Sequence, residues 1–208
     1  DAFFGPPVPD GGAIRVTAIK GDISDRAAVA AAVGTDPATS IFHLASMVSG
    51  ECEERFDDAL RVNLDGGRAV FEAARALGAA TGVRPRVVFA SSIAGYGGEA
   101  MEPANSDLTK LTPRTTYGMT KVICELLVND HTRKGHFDGR SVRLPTVIIR
   151  PGRPNAAASS WASGMFREPL AGEPCLLPVR RDQGHPMTGY RTVIESFVAF
   201  QEVPEAKL

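Results

Sequence analysis

Short apolar runs that alternate with longer amphipathic segments constrain the fold of this chain most strongly. The run Val87-Val88-Phe89-Ala90 carries no polar side chain, which is typical of a strand buried on both faces of a sheet. Periodicity predicts strands at residues 14–20, 40–45, 86–90 and 142–149, and helices at residues 26–33, 56–80 and 116–131. This alternation predicts an α/β fold with a doubly wound parallel sheet and helices on both of its faces.

Composition narrows the class of protein. The 208 residues are 43% hydrophobic, which is enough for a buried core, and 23 basic against 24 acidic residues leave a net charge of −1. We therefore expect no nucleic-acid or membrane partner, because neither basic excess nor a long apolar run is present. Cys52, Cys124 and Cys175 are odd in number and far apart. They fit neither a disulfide framework nor a metal site, and they favour a cytoplasmic location.

The fold class also predicts where a ligand binds. In an open parallel sheet, ligands lie at the carboxyl ends of the strands. The residues that follow the predicted strands are Asp22, 43–47, 91–94 and 144–147. Beyond residue 150 the chain is richer in Pro, Gly and Ser. We therefore expect a domain that carries the parallel sheet over residues 1–150 and part of a smaller, substrate-facing lobe over residues 151–208.

One pair of side chains suggests acid–base chemistry. Tyr117 and Lys121 are four residues apart on a predicted helix and so share one helix face. An ammonium beside a phenol favours the phenolate, which makes Tyr117 a proton donor or acceptor for alcohol–carbonyl interconversion. Ser92 ends a predicted strand and could hydrogen-bond the same substrate oxygen. The pattern also allows a purely structural tyrosine beside a solvated lysine, and Ser91 could simply satisfy the start of a loop.

Two longer segments carry a resemblance to a known family. Residues 91–97 read Ser-Ser-Ile-Ala-Gly-Tyr-Gly, and Pro113, Tyr117 and Lys121 match the pattern P-x-x-x-Y-x-x-x-K. The chain resembles the extended short-chain dehydrogenases/reductases of the NAD-dependent epimerase/dehydratase family. That resemblance implies a Rossmann-type fold, NAD as cofactor, and Ser92, Tyr117 and Lys121 as catalytic residues.

Further segments resemble the family's cofactor-contacting elements. They are residues 21–25, the His-Leu-Ala-Ser turn at 43–46, residues 61–66 and residues 143–147. His43 itself is expected to pack at a strand end, and Asn63 to brace the strand ends as well as approach the cofactor. The resemblance implies this set of cofactor-binding residues: Asp1, Asp22, Ile23, Leu44, Ala45, Ser46, Asn63, Ser91, Tyr117, Lys121, Pro145 and Val147.

The family's Gly-rich phosphate loop has no counterpart in these 208 residues. Such a loop holds pyrophosphate with backbone amides at a helix N-terminus. If Asp1 is the acidic residue that ends the family's second strand, a strand-helix-strand unit of about 30 residues precedes it. We therefore expect the first strand-helix unit to lie outside this sequence, and residues 1–208 alone to bind NAD weakly.

Residues 143–169 resemble one subgroup of the family, the D-erythronate dehydrogenases. The resemblance implies oxidation of a small four-carbon sugar acid at its 2-hydroxyl. The substrate-binding residues that follow from it are Ser92, Thr146, Ser159, Arg167 and Arg191. Arg150, Arg153 and Arg167 remain alternatives for the residue that meets the substrate carboxylate. Within residues 184–191 only Arg191 keeps the subgroup pattern.

Two alternative functions remain open from the sequence. The first is a nucleotide-sugar epimerase or dehydratase, which would need a nucleoside-diphosphate pocket in the second lobe. The second is a binding protein that has lost its cofactor. The family resemblance also implies a homodimer formed through the helices at 56–80 and 116–131.

Overall fold

The computed structural model describes residues 16–98, 104–149 and 156–207. A three-stranded parallel sheet has the order β1 (Ser40–His43), β2 (Arg86–Ser92), β3 (Asp138–Leu144). A second, two-stranded parallel sheet pairs β4 (Thr146–Ile148) with β5 (Met187–Gly189). The α/β prediction with a parallel sheet is confirmed.

Helices connect and cover these strands. They are α1 (Arg26–Val33), α2 (Ser49–Glu54), α3 (Phe56–Ala59), α4 (Gly66–Thr81), α5 (Thr116–Arg133), α6 (Trp161–Leu170) and α7 (Tyr190–Glu202). A π-helical segment, Leu60–Asp65, joins α3 to α4, and 3-10 turns span Ile93–Gly95 and Glu205–Lys207. Within the described ranges, no helix is both long and apolar enough to cross a membrane.

Strand β2 is buried on both faces, as its apolar run predicts. Val87 and Phe89 pack in the larger core with residues of α1, α4 and α5, whereas Val88 and Ala90 face Phe197 of α7. Successive side chains of a strand point to opposite faces, so this alternation places helices on both sides of the sheet. The helix layers therefore match the doubly wound arrangement.

Local signals at α1 are also confirmed. The carboxylate of Asp25 accepts hydrogen bonds from the backbone amides of Ala27 and Ala28 at 3.0 and 3.1 Å, which caps the helix. Gly34 ends the helix at φ 70°, a conformation that glycine adopts without steric cost. The strand predicted at residues 14–20 is wrong for its described part. Residues 16–20 pair with no described strand and are exposed, and a strand needs a hydrogen-bonded neighbour.

The strand predicted at residues 142–149 is divided differently. Strand β3 begins earlier, at Asp138, and ends before Pro145, after which β4 joins the other sheet. The apolar pattern does not predict the first residues of β3, because they are polar. Arg140 is nevertheless buried, at 3% exposure. Its guanidinium binds the Asp138 carboxylate at 2.8 Å, and Arg86 of β2 binds the same carboxylate at 2.9 Å. The pairing satisfies these buried charges within the sheet.

Close packing fixes the start of α5 against the end of β2. A Cβ on Gly118 would lie 2.2 Å from the carbonyl oxygen of Ala94, so only glycine permits this approach. The Thr115 hydroxyl accepts a hydrogen bond from the Gly118 amide at 3.0 Å, and the Glu53 carboxylate accepts one from the Thr116 amide at 2.7 Å. The first turn of α5 is therefore held beside the loop that follows Ser92.

A buried carboxylate fastens the middle of α5 to the sheet. Glu125 is 3% exposed, and it accepts hydrogen bonds from Arg143 of β3 at 2.8 to 3.1 Å and from the hydroxyl of Ser91 of β2. Ser91 and Arg143 are opposite each other in the strand register. Hydrogen bonding to Glu125 raises the pKa of the Arg143 guanidinium. We call Glu125, Arg143 and Ser91 the α5 clamp.

The α5 clamp predicts a stability effect. Glu125→Gln removes the buried charge that faces Arg143 and leaves the guanidinium with the Tyr96 hydroxyl and the exposed Asp107 carboxylate as its described partners, so the free energy of unfolding should fall by about 3 kcal/mol. Urea unfolding of the purified protein measures the change. The control is Glu72→Gln, which removes an exposed carboxylate 3.4 Å from Arg75 and should cost less than about 0.5 kcal/mol. Equal losses in both variants would contradict the clamp.

Candidate active site

A cavity of about 480 Å³ opens at the carboxyl ends of β2 and β3. All three predicted catalytic residues line it, together with two predicted substrate residues: Ser92, Tyr117, Lys121, Thr146 and Ser159. Five of the predicted cofactor residues line it as well: Leu44, Ser46, Ser91, Pro145 and Val147. The volume is within the range of about 300–1,000 Å³ that is usual for small-molecule sites.

Lys121 is a buried cation at the base of this cavity. The residue is 4% exposed, and its Nζ donates a hydrogen bond to the carbonyl oxygen of Ala90 at 2.8 Å. Burial lowers the pKa of Lys121 from 10.5 to about 8, because the ammonium has lost most of its hydration. The Nζ lies 5.4 Å from the centre of the Tyr117 ring. The buried ammonium therefore lies beside the ring of Tyr117, which is half-buried in the cavity lining.

The alternation of side chains along β2 separates the two neighbouring serines. Ser91 is 2% exposed and donates its hydroxyl hydrogen bond to Glu125 on α5. Ser92 points the other way and lines the cavity, where its Oγ accepts a hydrogen bond from the Ala94 amide at 3.1 Å. The Ser91 hydroxyl therefore serves the α5 clamp, and Ser92 lines the same cavity as Tyr117.

Asn63 braces the loop that follows β1. Its Oδ1 accepts a hydrogen bond from the Met47 amide at 2.7 Å, and its Nδ2 reaches Thr120 Oγ1 of α5 at 3.4 Å. Asn63 is 5% exposed and does not line the cavity. His43 is buried between the rings of Phe71 and Phe89, and burial lowers its pKa to about 4. Both residues thus hold the strand ends in place.

Other predicted cofactor residues lie away from the cavity. Asp22, Ile23 and Ala45 do not line it, and Asp1 lies outside the described residues. The Asp22 carboxylate accepts hydrogen bonds from Ser24 at 2.7 and 2.9 Å and from Arg61 at 2.8 Å, which lower its pKa to about 2. Ile23 packs against the core beside Gly66. Their role toward an adenine ring stays a prediction.

The two arginines predicted to bind substrate also lie outside the cavity lining. Arg167 forms an ion pair with Glu168 at 2.5 Å, and the Arg191 guanidinium lies 5.9 Å from the Tyr190 ring centre. Arg150 and Arg153 lie outside the described residues. None of the described lining residues is an arginine.

Sequence reasoning missed three polar residues of the lining, Ser49, Thr115 and His185. His185 reaches the cavity because β5 pairs with β4, which brings residues 185 and 146 together. The Nε2 of His185 lies 2.7 Å from Thr146 Oγ1. No local pattern signals a pairing between strands that lie some 40 residues apart, so the sequence held no clear sign of it.

The buried charge of Lys121 should lower the free energy of unfolding. Its lowered pKa means that the folded state disfavours the ammonium, so Lys121→Met should raise the free energy of unfolding at pH 7 by on the order of 2 kcal/mol. Between pH 8 and pH 10.5 the unfolded chain binds the extra proton. The wild type should therefore gain stability with rising pH in that window, and the advantage of the variant should shrink.

Denaturant unfolding at several pH values tests this expectation. The exposed Lys110 offers the matched control, since Lys110→Met should change stability little and equally at each pH. A Lys121→Met protein that is less stable than wild type at pH 7 would show that the ammonium is favourably solvated in the fold.

Known proteins resemble this chain over most of its length. The D-erythronate dehydrogenase of Cupriavidus necator is 50% identical over 165 residues, which are 79% of this chain and 49% of that protein. The D-erythronate dehydrogenase of Haemophilus influenzae is 41% identical over 174 residues, which are 84% and 54% of the two chains. The chain thus spans about half the length of these curated relatives.

A solved structure agrees with the fold described above. A nucleoside-diphosphate-sugar epimerase from Agrobacterium tumefaciens superposes with a TM-score of 0.86 at 42% identity, covering 98% of this chain and 59% of that one. The family model described as "NAD dependent epimerase/dehydratase family" matches residues 7–186. That range contains strands β1 to β4 and the three expected catalytic residues, Ser92, Tyr117 and Lys121. This chain belongs to the NAD-dependent epimerase/dehydratase family.

Proposed function

We propose that this chain supplies the catalytic part of an NAD-dependent dehydrogenase that oxidises a small sugar acid, of the D-erythronate class, at its 2-hydroxyl. One observation carries the proposal: Ser92, Tyr117 and the buried Lys121 line one cavity at the carboxyl end of β2. Two relatives that are 50% and 41% identical bear the name D-erythronate dehydrogenase, which supports this substrate class.

The arrangement supports a proton-transfer role for Tyr117. The Lys121 Nζ is buried and anchored on the Ala90 carbonyl, 5.4 Å from the Tyr117 ring centre. A cation in such a place favours the phenolate, and the phenolate in turn favours the ammonium. Tyr117 then accepts the proton of the substrate hydroxyl, while Ser92 holds the same oxygen by a hydrogen bond.

The cavity also fits the reactive end of the cofactor. Pro145 and Val147, which follow β3, offer an apolar wall for a nicotinamide ring. Leu44 and Ser46, which follow β1, line the same cavity across the end of β2. When bound, NAD supplies the acceptor for the hydride that leaves the carbinol carbon. We assign residues 1–150 to cofactor binding and residues 151–208 to a part of the substrate lobe. Within that part, α7 returns to pack on the nucleotide-binding sheet.

We extend the proposal to a homodimer. Its interface would consist of α5, α4 and the segment from α3 to the start of α4. Phe56 and Leu126 are 51% and 61% exposed on these elements, and they would pair with a second copy.

A second candidate function is epimerisation of a nucleotide sugar. It is favoured by the 42% identity to the Agrobacterium tumefaciens protein, whose name is nucleoside-diphosphate-sugar epimerase. The two reactions differ in their products. A dehydrogenase releases NADH in proportion to the acid consumed, whereas an epimerase restores its NAD and releases none. Measuring NADH with D-erythronate, and sugar isomerisation with a uridine-diphosphate sugar, separates them.

Tyr117→Phe tests the proton-transfer role. The change removes only the phenolic oxygen, so kcat for D-erythronate should fall by roughly 10²–10⁴-fold while NAD affinity stays nearly unchanged. NADH formation under saturating substrate gives kcat, and calorimetric titration gives the dissociation constant for NAD.

Tyr190→Phe provides the matched control, because Tyr190 is exposed at the start of α7 and does not line the cavity. This variant should keep the wild-type kcat. Near-normal turnover in Tyr117→Phe would remove Tyr117 from the mechanism.

A further inference from the structure

The charge of the cavity lining favours an anionic substrate. Among its described lining residues, the side chains that can carry a positive charge are Lys121 and His185, and no carboxylate faces them. Ser49, Ser92, Thr146 and Ser159 add neutral hydroxyl groups. A sugar acid carries one carboxylate and several hydroxyls, so its polar groups match this set.

Lys121 is poorly placed to hold the substrate carboxylate. Its Nζ is 2.8 Å from the Ala90 carbonyl and lies next to Tyr117, where the proton is transferred. Of the three arginines predicted for this role, Arg150 and Arg153 lie outside the described residues, and Arg167 pairs with Glu168 and does not line the cavity. Arg191, predicted to bind the substrate, lies on Tyr190 and does not line the cavity either. Of the described lining residues, His185 therefore remains as the side chain whose ring N–H can meet the carboxylate.

His185 is held rigidly by its neighbours. Its Nε2 lies 2.7 Å from Thr146 Oγ1, and its ring centre lies 5.2 Å from that of Trp161 on α6. The backbone beside it is fixed too, because the Thr146 amide donates to the Pro186 carbonyl at 3.1 Å. When Thr146 donates its hydroxyl hydrogen to Nε2, the ring proton resides on Nδ1. That tautomer, like the imidazolium, presents Nδ1–H as a donor.

We propose that His185 recognises the substrate carboxylate by a hydrogen bond from Nδ1–H, and that Thr146 holds the imidazole in the required tautomer. This inference rests on the proposed sugar-acid substrate and adds the residue that selects an acid over a neutral polyol. The carboxylate would be bound on the β4–β5 side of the cavity. The neighbouring 2-hydroxyl would then lie toward Ser92 and Tyr117, the groups assigned to proton transfer.

A binding measurement tests the assignment without turnover. In a Tyr117→Phe background with NAD present, calorimetric titration compares D-erythronate with erythritol, the four-carbon polyol that lacks the carboxylate. We expect the acid to bind at least about tenfold more tightly, since a charge-assisted hydrogen bond contributes roughly that much. Adding His185→Gln should remove most of this preference and leave erythritol binding unchanged.

His136→Gln is the matched control, because His136 lies next to His131, away from the cavity. It should keep the preference for the acid, and thermal melting should show all variants folded. Retained preference in the His185→Gln protein would overturn the role of His185. The dehydrogenase proposal would still stand if the wild type forms NADH from D-erythronate.

A Tyr117→Phe protein that binds both compounds equally would also overturn carboxylate recognition by His185. Wild-type NADH formation then separates the two proposals. If the wild type oxidises D-erythronate, only the role of His185 is wrong, and if it does not, the proposed function is wrong as well.

Discussion

The geometry of the site depends on one buried carboxylate. Glu125 binds Arg143 of β3 and Ser91 of β2, so it fixes the position of α5 along the sheet. Tyr117 and Lys121 lie two turns and one turn earlier on that helix. A shift of α5 would move both away from Ser92, which is fixed to β2. A buried ion pair is often no more stabilising than apolar packing, but it specifies one register because any other leaves a charge unpaired.

The helices and strands that could be predicted from the sequence are those determined by residues close together in the chain. The apolar run of β2, the Asp25 cap of α1 and the helical spacing along α5 lie within a few residues of the structure they determine. The association of Ser92 with Tyr117 and Lys121 was also predictable, since carboxyl ends of parallel strands meet at one edge and the helix that follows starts there. Motif and topology thus both place the three residues at this edge of the sheet.

The rest depends on partners that are distant in sequence. Strand β3 starts at a polar Asp138, whose carboxylate binds Arg140 two residues along the same strand and is reached by Arg86 only when β2 and β3 have paired. The segment at 16–20 alternates like a strand but has no described neighbour with which to pair. His185 reaches the cavity through the pairing of β4 with β5, and the predicted arginines are drawn away by Glu168 and Tyr190. Residue type alone does not rank such competing partners.

Lys121 in the site and Glu125 in the α5 clamp have opposite effects on the stability of the fold. Lys121 is buried with a carbonyl and a phenol ring as neighbours, and no carboxylate in the described part of the chain forms an ion pair with it, so its charge opposes folding. One turn along the same helix, Glu125 has two partners and favours the folded state. Moving a carboxylate next to Lys121 would stabilise the ammonium, but it would also draw the positive charge away from Tyr117. The unpaired lysine is therefore a requirement of the proposed chemistry, and the paired glutamate one turn away keeps the helix in place despite it.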